Sequence, residues 1–116
     1  MPFHFTPTSV TEADGIVVPT QIGNKAQLLS FLARSVPLPD YFGQNWDALD
    51  ECLSDLEWLD RPKIILIHRD IPLQHAPVDQ RLYLEILADA ARKSDRLSIF
   101  FPESCRAQVT RILSAA

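Results

Sequence analysis

Apolar residues recur along the chain in two rhythms, and their alternation predicts an α/β domain. Ile16, Val17 and Val18 form a short run closed by Pro19; residues 63 to 68 (KIILIH) follow Pro62, and residues 97 to 101 (LSIFF) are stopped by Pro102. Short β-branched or aromatic runs bounded by proline suit buried strands. Between them the spacing changes to three and four. Leu28, Leu29, Leu32 and Val36 mark the inner side of a helix that Asn24 can cap and that Pro37 and Pro39 end. Gly43 permits a turn and Asn45 can cap a second helix, with Trp46, Leu49, Leu53 and Leu56 on one arc. A third helix is expected over 79 to 93 with Leu82, Ile86, Leu87 and Ala90 inward, and a short one over 105 to 113. Strands with little period-two alternation, separated by helices, point to a small, mainly parallel sheet packed with helices. Pro2, Pro7 and the polar stretch Thr6 to Asp14 mark residues 1 to 14 as an N-terminal leader or edge strand, ahead of a single domain over 15 to 116.

Composition narrows this picture. With 116 residues, 47% of them hydrophobic, the chain can fill one core. The longest apolar run, Ile64 to Ile67, is far too short for a membrane helix. The start MPFHFTPTS lacks the basic end and apolar stretch of a signal peptide, so the expected location is the cytoplasm, away from membranes. Cys52 and Cys105 have neither a disulfide framework nor metal-type spacing, and both are expected as thiols, Cys52 within the core. His68, Asp70, His75 and Asp79 could be drawn as metal ligands. Their spacing fits no compact site and lacks a helical His pair, so they read as a strand end and a polar loop, with no metal or cofactor expected.

Charge changes the picture more. The stretch LPDYFGQNWDALDECLSDLEWLD, residues 38 to 60, holds seven of the chain's 15 acids and none of its 11 Lys and Arg residues, which leaves it at -7 and the remainder at +3. A patch of one sign repels nucleic acid and attracts basic partners. On the second helix Asp47, Glu51 and Asp55 form a stripe opposite the apolar arc, with Asp50 between the two. The like-charged neighbours four apart each destabilise an isolated helix by roughly 0.2 to 0.5 kcal/mol. Two readings are open. A solvated helix face accounts for Asp47, which the positive end of the helix dipole favours. It accounts less well for Glu51, Asp55, Glu57 and Asp60, which lie toward the negative end, with Arg61 and Lys63 arriving only afterwards; a binding surface for a basic partner accounts for all of them. Several acids on one exposed helix offer no means of separating their pKa values, so no enzyme is expected. Tyr41, Phe42, Trp46 and Trp58 could stack on single-stranded RNA, but their acidic surroundings oppose it.

Residues 38 to 53, LPDYFGQNWDALDECL, closely resemble the barstar family, intracellular inhibitors of barnase-type ribonucleases, whose hallmark runs Leu-Pro-acid-Tyr-aromatic-Gly-x-Asn-x-Asp-Ala-Leu into an acidic helix. The resemblance extends more weakly from about Ile16 to Phe101. It implies a barstar-like α/β fold with a three-stranded parallel sheet, and a 1:1 complex with a basic, barnase-like ribonuclease in an immunity or antitoxin role. The implied partner-binding residues are Tyr41, Phe42, Gly43, Asn45 and Asp47 in the loop and helix start, Asp50, Glu51 and Asp55 along the helix, and Asp89 on the third helix. Two positions depart from the family: Glu51 stands where it has its key aspartate, and Asp50 where barstar has a Trp. Asp89 also has an ordinary i,i+4 partner in Lys93. An alternative is a barstar-like acidic module for a basic protein that is not a ribonuclease.

Overall fold

The structure is a computed structural model that describes residues 2–6, 15–36, 38–39, 43–59 and 63–114. Four short strands form its sheet: β1 (His4–Thr6), β2 (Ile16–Val18), β3 (Ile64–His68) and β4 (Leu97–Pro102), in the order β1-β4-β3-β2 and parallel throughout. The sheet has four strands, not the three expected, because residues of the N-terminal leader pair with the outer edge of β4, His4 opposite Phe100 and Thr6 opposite Pro102. β3 takes the centre, Leu66 facing Ile16 on one side and Ile99 on the other, as a β-branched run buried on both faces should. Gly15 enters β2 where a Cβ would come within 2.5 Å of the Ile67 side chain.

Helices α1 (Lys25–Ser35), α2 (Trp46–Ser54), α3 (Pro77–Lys93) and α4 (Arg106–Ser114) complete the fold, α4 following a 3-10 turn at Glu103–Cys105. Asn24 and Asn45 cap as their positions predict, accepting the Gln27 amide at 2.9 Å and the Ala48 amide at 2.8 Å. α3 begins earlier than the spacing suggested, since Pro77 suits the first helical turn. Its buried arc runs through Tyr83, Leu84, Leu87 and Ala90. Leu82, expected inward, is 39% exposed because it lies about 140° around the helix from Leu87, outside that arc.

His68, at the end of β3, is buried between the sheet and α3. Its Nδ1 lies 3.1 Å from the Phe100 carbonyl, which can only accept, so Nδ1 carries the proton and Nε2 accepts the Tyr83 hydroxyl at 2.6 Å. The imidazole also stacks on Phe101, ring centroids 4.2 Å apart. Burial pulls its pKa from 6.5 down to about 4 and pushes the Tyr83 phenol up. His68 is thus a satisfied core residue with no lone pair left for a metal.

Candidate interaction surface

The acidic helix is aimed by a tight turn. Gln44, not Gly43, adopts the left-handed backbone here, at φ 52°, and its side chain meets Ser30 of α1 at 3.5 Å. Asn45 then caps α2, and Trp46, Leu49, Cys52 and Leu53 turn inward. Asp47, Asp50 and Glu51 are exposed on the outer arc. The helix ends at Ser54, two residues short of Leu56, to which the apolar spacing carries it. Leu56 is still buried, but from the chain beyond the helix, and Asp55 leaves the stripe to become the C-cap, its carboxylate accepting the Glu57 amide at 3.1 Å. Asp50 accepts the Ser54 hydroxyl at 3.4 Å. Among the described residues, Asp47, Asp50, Glu51, Asp55 and Glu57 form no salt bridge.

What offsets so much like charge at the negative end of the helix is an indole six positions on and two bases much farther along the chain. Trp58 folds back and donates its indole N–H to the Cys52 carbonyl at 2.9 Å, filling one of the acceptors that a helix end leaves open. Lys93 reaches the Ser54 hydroxyl at 3.4 Å, and Arg96 donates to the carbonyls of Leu56 at 3.0 Å and Leu59 at 3.1 Å. A search for bases beside the acids in sequence misses both, because they lie 37 to 40 positions away. At the opposite end Trp46 donates to Asp79 at 3.0 Å. No spacing rule would have found these contacts; the available signal was two tryptophans, each with a donor to satisfy, at the two ends of an acidic helix.

Asp89 is exposed on α3, one turn before Lys93. Its partner is Arg92 at 3.2 Å, not the Lys93 expected, since Lys93 is drawn across to α2. The structure therefore brings together Gly43, Asn45, Asp47, Asp50, Glu51 and Asp55, with Asp89 on the adjoining helix. Tyr41, Phe42, Asp40 and Asp60 lie outside the described residues. Among the described residues no three His, Cys, Asp or Glu side chains converge in a way that could hold a metal. The suggested quartet is dispersed, with Asp70 bonded to the Gln21 amide at 3.1 Å and Asp79 to Trp46. No helix among these residues is long and apolar enough to cross a membrane.

The family described as Barstar (barnase inhibitor) matches residues 16–102. The matched span takes in β2 through β4, and with them the whole acidic helix and Asp89; β1 and α4 lie outside it. No curated protein matches the chain.

Proposed function

The chain belongs to the barstar family, and we propose that it inhibits a basic, barnase-like ribonuclease by presenting α2 and the loop before it to the enzyme's active site. One observation carries this reading: the exposed acids of α2 and the turn after it have no basic partner among the described residues. Arg and Lys side chains that grip substrate phosphates grip carboxylates with the same charge-assisted hydrogen bonds. A folded helix of carboxylates can therefore take the place of RNA without offering a bond to cleave. Asp47 and Glu51 act as the main anionic anchors, with Asp50 and Asp55 at their edges, Asp89 on the flank, and Tyr41, Phe42, Gly43 and Asn45 shaping the approach. The protein does no chemistry of its own and, carrying a field of the wrong sign, does not bind nucleic acid directly. An intracellular, 1:1 complex that protects the producing cell fits this role.

Titrating barnase with the protein, and following RNA cleavage, tests the reading. Activity should vanish at one equivalent, and association should slow markedly from low to physiological salt, as steering by opposite charge requires. Full activity in a complex shown to have formed would favour a basic target that is not a ribonuclease.

A further inference from the structure

Trp46 stands between the helix cap Asn45 and the first acid, Asp47, and two other elements, α3 and α1, converge on it. From α3, Asp79 accepts its indole N–H at 3.0 Å. From the same helix Tyr83, itself bonded to His68 of β3, lies against its ring with centroids 6.1 Å apart. From α1, the Lys25 ammonium sits over the ring at 5.8 Å. The indole is 8% exposed, so its N–H has little water to turn to if Asp79 is lost. The contacts are electrostatically consistent, with an anion at the ring edge where the N–H points and a cation over the π face. Apolar packing by Leu49 and Leu53 holds α2 against the protein, but such contacts are non-directional and tolerate small rotations and slides. The indole hydrogen bond is directional and fixes the helix start.

We infer that Trp46 is a positioning residue for the acidic surface: its bond to Asp79 locks the first turn of α2 to the first turn of α3, so that Asp47 is held in a single orientation before a partner arrives. This rests on the inhibitor reading for what Asp47 meets, but the lock itself is a property of the free protein. A pre-set surface loses less on binding than one that must be ordered in the complex, and the gain appears chiefly in the dissociation rate.

Trp46→Phe keeps an aromatic ring beneath Lys25 but removes the N–H together with part of the buried indole volume, so Asp79→Leu, which leaves the indole whole, is its necessary companion. Asp79→Leu removes the acceptor, whereas Asp79→Asn retains a carbonyl oxygen. Against barnase, Trp46→Phe and Asp79→Leu should each dissociate about tenfold faster than the unaltered protein, a difference of about 1.4 kcal/mol. Asp79→Asn should stay close to the unaltered rate, and association of the charge-neutral Trp46→Phe should be unchanged. A purely structural role would lower the unfolding midpoint without altering dissociation of the folded protein. Hydrogen exchange in the free protein gives the independent measurement. The amides of Ala48 to Asp50 should exchange about tenfold faster in Trp46→Phe while those of Leu84 to Ala88 keep their protection. Unchanged dissociation, or faster exchange spread equally through α3, overturns the proposal. If the unaltered protein does not bind barnase, barnase is excluded as its target and the inhibitor reading falls back on another ribonuclease; the exchange experiment still decides the lock, and full protection of Ala48 to Asp50 in Trp46→Phe refutes it.

Discussion

α2 and α3 lie side by side and run the same way, Trp46 meeting Asp79 at their starts and Ser54 meeting Lys93 at their ends, yet they handle charge in opposite manners. On α3 the exposed acids Glu85 and Asp89 are matched within the helix, Arg81 to Glu85 at 3.3 Å and Arg92 to Asp89 at 3.2 Å, and the last turn carries Arg92 and Lys93 where the dipole favours cations. α2 has no base in its last turn, and Asp47, Asp50 and Glu51 find no cation among the described residues. The neighbour shows that this chain can pair its acids locally. The difference is what the proposed inhibitor role requires: carboxylates on α2 left for a partner molecule, with α3 as their support.

The comparison breaks most sharply if acids from both helices are removed in turn. Glu51→Ala or Asp47→Ala should weaken a complex with the cognate nuclease by about 2 to 5 kcal/mol, a range known from charged interfaces that include barnase with barstar. Glu85→Ala, which removes an acid of the same charge from α3, should change affinity by less than about 0.5 kcal/mol. Dissociation constants at one salt concentration check both; equal losses would reduce the surface to net charge alone.

Acid titration probes the support from its buried side. His68 takes up a proton near pH 6.5 when unfolded but only near pH 4 when folded, so the unfolded chain binds more protons between those values. Stability should fall as the pH drops through that window, by up to about 1.4 kcal/mol per pH unit and on the order of 3 kcal/mol in all, then level off with respect to this group. Urea unfolding at several pH values measures the slope. His68→Phe should be less stable at pH 7 but lack most of the slope.

Smaller effects separate the two helices further. Arg96→Met should destabilise the protein by about 1 to 3 kcal/mol, because the Leu56 and Leu59 carbonyls lose a charged donor, with proteolysis nicking the turn after α2 before it touches α3. Arg81→Ala should matter least. It breaks an exposed i,i+4 pair worth about 0.3 to 0.5 kcal/mol, a change in thermal midpoint that should shrink in high salt.

Much of this was legible in the residues themselves. Proline-bounded β-branched runs placed β2, β3 and β4, and Asn24 and Asn45 marked two helix starts correctly, because capping is decided within four residues. The segregation of Trp46, Leu49 and Leu53 from Asp47 and Glu51 was equally local, as was the barstar hallmark over residues 38 to 53. Misreadings arose where a residue answers to something distant. The sheet's fourth strand, His4–Thr6, depends on β4, nearly a hundred positions on, and Leu82 is left outside because Tyr83 and Leu84 take the inner arc. Leu56 kept the helical period yet belongs to the turn that Arg96 and Trp58 hold. Lys93, assigned to Asp89 by spacing, is claimed by Ser54. Gln44 carries the left-handed turn beside an available glycine, and the hydrogen bonding of the loop gives no sequence signal for it.

The chain has two tryptophans, and both serve the acidic helix: Trp46 as its first residue, Trp58 on the carbonyl of Cys52 near its end. Light absorbed selectively by indole is therefore absorbed nowhere else in the molecule. Emission from the native protein is a local optical gauge of α2, one fluorophore at each end, with no label to attach. The Trp46→Phe variant leaves Trp58 as a lone reporter of the C-terminal end, and Trp58→Phe does the converse. Paired stopped-flow traces of these two variants mixing with a tryptophan-free form of the target would show which end of the helix engages first.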